Sequence, residues 1–148
     1  PWLANFLQEF VSTTQVAPST FSLRNEASPV DVQFDPTHLH QVLWNLCDNA
    51  LKHAAAGASE PVQLRTGRIA STGRPFLEIS DRGAGIDPAS AERIFEPFFT
   101  DKAGGTGLGL FISRELCQTN GGLLLYEPRD GGGSIFRIIF ADPRRWED

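Results

Sequence analysis

The residues best suited to chemistry lie between Asp81 and Leu110, in the stretch DRGAGIDPASAERIFEPFFTDKAGGTGLGL. Two glycine clusters, Gly83/Gly85 and Gly104/Gly105/Gly107/Gly109, bracket a short polar segment that contains Pro97-Phe98-Phe99. A glycine pair just after a strand lets backbone approach a flat ligand closely, and a glycine run that opens a helix leaves N–H groups for an anion. Both devices joined by one loop describe a nucleotide pocket with a lid over residues 87–104. Familiar nucleotide motifs do not account for it. No lysine follows a glycine as a P-loop requires, and a GxGxxG count started at Gly83 ends on Pro88, one started at Gly105 on Leu110. HRD and DFG kinase signatures are absent.

A second chemical stripe lies upstream. Gln41, Asn45, Asn49 and Lys52 recur at spacings of four, four and three, one face of a helix. A solvated helix face ordinarily carries Glu and Lys, which are better helix formers than asparagine. Two asparagines one turn apart therefore suggest either a task or an incidental polar face, and the spacing alone leaves both open.

The elements that must position these residues can be read in chain order. Leu3, Phe6, Leu7 and Phe10 predict a short helix over residues 2–11. Phe21–Arg24 and Val30–Phe34 alternate and predict two strands around a turn at Ala27-Ser28-Pro29. Asp35-Pro36 is a helix start, a cap residue followed by proline at the first helical position. That helix is expected to run to about Ala56, burying Leu39, Val42, Leu43, Leu46, Cys47 and Ala50. Pro61–Ile69 and Pro75–Ser80 predict a hairpin, the second strand running into Asp81. A short helix follows Asp87-Pro88. A long one starts near Thr106 and ends at Asn120-Gly121-Gly122, and Leu123–Glu127 pairs with Ser134–Phe140 in a closing hairpin. Interleaved strands and helices predict an α/β two-layer sandwich, a mixed and mainly antiparallel sheet covered on one face by three helices.

At 148 residues the chain is most simply one domain, residues 1–148, with a core over about 20–141 and a polar tail at 142–148. A hydrophobic fraction of 41% is enough for a true core. The net charge of −5 argues against a nucleic-acid surface, and no apolar run is long enough to cross a bilayer. The opening Pro1-Trp2-Leu3, without Met, predicts an excised domain. Cys47 and Cys117 lack CxxC or Cys/His ligand spacing and read as reduced core thiols of a cytosolic protein.

The motifs occur together in an order that resembles one family. Asn45-Leu-Cys-Asp-Asn49-Ala-Leu-Lys52-His53 is similar to the N box of histidine-kinase catalytic domains, and Asp81-Arg-Gly83-Ala-Gly85-Ile86 to their G1 box. Phe95-Glu-Pro-Phe98-Phe99 resembles the F box, Gly105-Thr106-Gly107-Leu108-Gly109-Leu110 the G2 box, and Gly133-Ser134-Ile-Phe136 the final G-T-x-F strand, with Ser for Thr. Each box is weak alone; the ordered set, from about Thr37 to Phe140, is specific. The wording Phe98-Phe99-Thr-x-Lys102 and Ile112-Ser-Arg-Glu-Leu-Cys117 looks most like the nitrogen-regulation and type IV pilus sensor kinases.

This resemblance implies the Bergerat ATP-binding fold shared with gyrase, Hsp90 and MutL, with ATP and Mg²⁺ as ligands. Asp81, an acceptor-only carboxylate, would take the adenine amino group, with Gly83 and Gly85 letting the base lie close. Asn49 would ligate Mg²⁺ and Asn45 support its water shell. Lys52, and Lys102 from the lid, would meet the phosphates. Gly105, Thr106, Gly107, Leu108 and Gly109 would offer backbone N–H groups to them. Ile86 and Phe136 would wall the adenine, with plain core as the alternative for either, and His53 and Ser134 complete the implied lining. Phe98 and Phe99 are lid residues or a docking patch. The implied activity is protein-histidine kinase: transfer of the terminal phosphate to a histidine on a separate dimerisation domain, with a response regulator downstream and no nucleic-acid partner. The implied location is the cytoplasm, with membrane contact only through segments N-terminal to this chain. Two rival readings are an ATPase of gyrase or MutL type, which uses a glutamate base where Asn45 stands, and an ATP-binding module that only engages a partner.

Overall fold

The computed structural model describes residues 2–15, 21–25, 32, 34–53, 62–83, 85–86, 88–99 and 108–141. The elements are α1 (Trp2–Thr14), β1 (Phe21–Asn25), α2 (Pro36–His53), β2 (Val62–Arg68), β3 (Pro75–Asp81), α3 (Pro88–Ala91), α4 (Gly109–Thr119), β4 (Leu123–Pro128) and β5 (Ser134–Ile139). The strands form one sheet in the order β1-β2-β3-β5-β4. β1 runs parallel to β2, and every other pairing is antiparallel.

The two faces of the sheet have opposite chemistry because side chains alternate along each strand. One face carries Val62, Leu64, Leu77, Ile79, Phe136, Ile138 and Leu124. It packs against Leu39, Val42, Leu43, Leu46 and Ala50 of α2 and Cys117 of α4. Burying a side chain such as Leu43 or Leu46 stabilises the fold by about 1.5–3 kcal/mol. The aromatic rings of α1 join this layer: Phe10 meets Trp44 and Phe21 edge-on, at centroid distances of 4.6 and 5.5 Å. On the other face, Arg65, Glu78 and Arg137 stand side by side on β2, β3 and β5, beside Leu125 of β4. A concavity of about 370 Å³ opens there, lined by Arg65, Gly67, Phe76 and Arg137 among others. The register puts it on the opposite side of β3 from Asp81.

Helix ends follow the sequence signals. Asp35 Oδ1 accepts the N–H groups of Thr37 (2.8 Å) and His38 (3.3 Å), capping α2. α4 closes with Gly122 N–H on Cys117 C=O (2.8 Å) and Gly121 N–H on Gln118 C=O (3.1 Å), with Gly121 at φ 77°. Asn120 then joins the two helices: its Oδ1 accepts the Asp35 N–H at 2.8 Å and its Nδ2 lies 3.1 Å from His38 Nδ1. The expected strand over Val30–Phe34 is not supported at Val32 or Phe34, which carry no strand pairing. Phe34 instead packs edge-on against Phe140 at 5.9 Å. The rest of that stretch, Ala54–Ala56 and the 142–148 tail lie outside the described residues.

Candidate functional site

The site is built from β3, which pairs with β2 on one side and β5 on the other. Asp81 ends the strand, 2% exposed and directly opposite Ser134 of β5, itself buried. A buried carboxylate without a partner is costly. Here Oδ1 accepts the backbone N–H of Gly83 at 2.9 Å, which closes the turn and fixes the carboxylate plane. That bond takes one of about four lone-pair positions on the group.

Glycines seat this turn. Gly133, at φ 105°, lies so close to the Asp81 backbone that a Cβ there would sit 1.9 Å from the Asp81 carbonyl oxygen. Gly85, at φ 80°, lies in turn against the Gly133 carbonyl, 3.2 Å from where its Cβ would be. The hairpin between β4 and β5 thus locks onto the end of β3. Gly85 appeared in the sequence reading as a ligand-facing residue, and Gly133 only as part of a strand motif. The structure gives both a backbone-packing role. The signal for Gly133 was the run Gly131-Gly132-Gly133, one glycine longer than a hairpin needs.

The remaining lining residues occupy several settings. Ile86 is half-buried and packs on the core. Phe136 is 2% exposed, its ring between Phe95 (6.3 Å, perpendicular) and Tyr126 (5.4 Å). It belongs to the buried core cluster. On α2, Asn45 and Asn49 are half-buried and Lys52 is exposed. Lys52 Nζ is 3.0 Å from Asp48 Oδ2. An exposed i,i+4 pair contributes only about 0.3–0.5 kcal/mol, so a phosphate group could compete with it. Asn45 Nδ2 donates to Ser113 Oγ on α4 at 3.3 Å, a contact the sequence reading did not identify.

α4 starts at Gly109 with Leu108 in the cap position, whose side chain makes no capping hydrogen bond. Ser, Thr, Asp or Asn ordinarily stands there. Among the described residues, nothing lies within 4 Å of where a Cβ on Gly109 would be. An uncapped helix start with room beside it suits an anion. Lys102, Gly105, Thr106, Gly107 and the His53 side chain lie outside the described residues. In the F-box stretch the two phenylalanines part company. Phe99 packs on the core with the Arg93 guanidinium 4.7 Å above its ring. Phe98 is 73% exposed at φ 68°.

Away from the site, burial pushes the Cys47 and Cys117 thiols up to about 12, which keeps them protonated. They are free and buried, as core thiols should be.

Comparison with known proteins fits this geometry. Residues 34–144 match the family model described as "Histidine kinase-, DNA gyrase B-, and HSP90-like ATPase". The chain is 39% identical over 145 residues to the sensor protein kinase PilS of Pseudomonas aeruginosa, covering 97% of this chain and 27% of that protein. It is 36% identical over 117 residues to the sensor histidine kinase ZraS of Salmonella typhimurium, covering 79% of this chain and 24% of that one. It therefore spans about a quarter of the length of these relatives. The catalytic domain of the histidine kinase ThkA superposes with a TM-score of 0.74 at 25% identity, covering 95% of this chain and 92% of that one. Full-length ShkA, solved in complex with AMPPNP, superposes with a TM-score of 0.73 at 26% identity, covering 95% of this chain and 30% of that one. With the boxes in order, the sandwich in place and the matched segment running from α2 to beyond β5, the chain belongs to the histidine kinase-, gyrase B- and HSP90-like ATPase family, as a catalytic domain of the sensor histidine kinase type.

Proposed function

We propose that this domain binds ATP with Mg²⁺ and presents the terminal phosphate to a histidine on a separate phosphoacceptor domain of the same kinase, which then serves a response regulator. The observation that carries the reading is Asp81: a buried carboxylate at the end of β3, oriented by the Gly83 N–H. Such a group accepts hydrogen bonds and cannot donate, so it suits the adenine amino group and repels the guanine O6. Phosphates would extend toward the uncapped start of α4 and the asparagine stripe of α2.

The donor set fits magnesium. Asn49 and Asn45 offer neutral amide oxygens, and Mg²⁺ takes few protein ligands while keeping waters and phosphate oxygens. When bound, the ion would neutralise charge on the phosphate oxygens. Asn49 would hold it and Asn45 would support its waters; Lys52 would release Asp48 and turn to the phosphates. Asn45 cannot take a proton from water, since a neutral amide, unlike a glutamate carboxylate, is not a base. That favours transfer to an acceptor from outside over hydrolysis by a built-in base. Phosphoryl transfer needs chiefly positioning and charge neutralisation, which this set of residues can supply.

Phe98 is the docking residue in this reading. A solvent-facing ring in a left-handed backbone is held where it is at a cost, and such a residue suits a partner surface. The domain would work on the cytoplasmic face of the membrane, and no helix among the described residues is long and apolar enough to cross one. The test is calorimetry with ATP, GTP and Mg²⁺. Asp81→Asn should weaken ATP binding about 10–100-fold, the loss of one charged hydrogen bond. Unchanged affinity would overturn the adenine assignment.

A further inference from the structure

The buried face of α4 contains one residue out of character. Leu110, Ser113 and Cys117 lie along it, and Ser113 is 0% exposed. A hydroxyl taken out of water costs about 1–3 kcal/mol unless it finds a partner. Its partner is Asn45, whose Nδ2 donates to Ser113 Oγ at 3.3 Å. The consequence falls on Asn45. An amide whose nitrogen faces Ser113 must turn its oxygen away from α4's buried face. Asn49 follows one turn later on the same helix, and α4 begins four residues before Ser113. One hydrogen bond therefore joins the asparagine helix to the helix whose start would receive phosphate, and holds the Asn45 amide with its nitrogen on Ser113.

We propose that Ser113 is a positioning residue for the metal–phosphate half of the site. It fixes Asn45 with its oxygen toward the water shell of the bound cation and sets the spacing of α2 and α4 on either side of the phosphates. The inference rests on the nucleotide-site reading above and adds to it a residue outside the family boxes. A purely structural serine, small enough to let two helices approach, predicts something different: alanine would replace it without loss.

The experiment measures ATP affinity of this chain by calorimetry as a function of Mg²⁺, with adenosine as the probe for the adenine half alone. Ser113→Ala should weaken Mg-ATP binding about fivefold, the loss of one hydrogen bond near 1 kcal/mol. Adenosine affinity should stay unchanged, and so should ATP affinity in the presence of a chelator. Asn45→Ala should lose at least as much, since it removes the amide as well as its anchor, and the double variant should lose no more than Asn45→Ala alone, because Ser113 acts only through Asn45. Ser113→Thr, which keeps the hydroxyl, should recover the Mg²⁺ dependence. Ser113→Cys, which keeps the size and loses the strong acceptor, should resemble alanine and stands in if the alanine variant folds poorly. Equal loss of adenosine and Mg-ATP, or additive effects of the two variants, would overturn the positioning role. So would a Ser113→Ala protein whose Mg²⁺ dependence matches wild type. If wild-type ATP affinity ignores Mg²⁺ altogether, it is the nucleotide-site reading that fails.

Discussion

At the scale of single residues, glycine at the end of β3 is required by neighbours far away in sequence. A Cβ on Gly133 would overlap the Asp81 carbonyl, whereas one on Gly109 would meet none of the described residues. Gly109 also begins a helix, where alanine is the better helix former by about 1 kcal/mol. Gly133→Ala should therefore push the β4–β5 hairpin off Asp81, lowering the melting temperature and ATP affinity together. Gly109→Ala should leave the melting temperature equal or higher, and any loss of ATP affinity there would come from crowding the phosphates. Thermal melts and calorimetry on the two variants check this; a Gly133→Ala protein that melts and binds like wild type would show that the hairpin does not seat the site. Asp81 and Gly85 stand out in the sequence because both belong to a short local motif. The Gly133 contact does not, since it brings together residues 52 positions apart (133 − 81), nor does Ser113, which in a helical stripe looks like any small core residue. Lys52 was legible as a cation but its hold on Asp48 is a matter of rotamers, not of pattern.

At the scale of elements, the β3 strand is clamped from its outer face. Arg65 Nε donates to Glu78 Oε1 at 2.9 Å and Arg137 Nε to Oε2 at 2.6 Å, while Arg137 also reaches Glu127. Glu78 is 6% exposed. Burial alone pushes its carboxyl up, but the two arginines, by hydrogen bonds and charge, outweigh that and hold it below its ordinary value of 4.5. A group with a depressed native value stabilises the fold above its unfolded value, and that stability disappears as pH falls through the native one. Melting temperature should thus fall as pH drops below about 4.5. Glu78→Gln should lie about 1.5–3 kcal/mol lower in stability near neutral pH, since it weakens charge-assisted hydrogen bonds to two partly exposed guanidinium groups, and its acid slope should be flatter. Equal slopes in both proteins would assign the acid sensitivity elsewhere. Because Glu78 lies three residues before Asp81 on the same strand, the variant should also loosen the Asp81–Ser134 pairing and weaken ATP binding. Elements like these were mostly legible: Asp35-Pro36 marks the start of α2, and the Leu39–Ala50 stripe its buried face. At Val32 and Phe34 the expected strand is not seen, because alternation is equally compatible with an extended connection. Phe34 serves as a plug against Phe140 rather than as a sheet residue.

At the scale of the whole molecule, the three histidines decide whether the domain can act alone. His38 is engaged by Asn120 at the junction of α2 and α4. His40 is stacked on Trp44 at 5.7 Å, edge-on to Phe6 at 5.3 Å and 3.5 Å from Glu9. His53 is carried on the last turn of α2, four residues beyond Asn49, so its backbone is fixed relative to that asparagine. Transfer needs a nucleophile roughly 3–3.5 Å from phosphorus and in line with the leaving oxygen. His38 and His40, held by their neighbours at the end of α4 and on α1, cannot swing into that line, and the backbone of His53 moves only with α2. This chain should bind labelled ATP without labelling itself. Added phosphoacceptor domain from the same kinase should acquire label that survives base and is lost in acid. Phe98→Ala should leave ATP affinity unchanged and cut that transfer at least tenfold, about the 1.4 kcal/mol of a modest docking contact. Phe98→Gly should do the same while raising the melting temperature, because glycine removes a left-handed strain of about 1–3 kcal/mol. Acid-labile label on this chain alone would place the acceptor here after all, and normal transfer by both Phe98 variants would move the docking surface elsewhere.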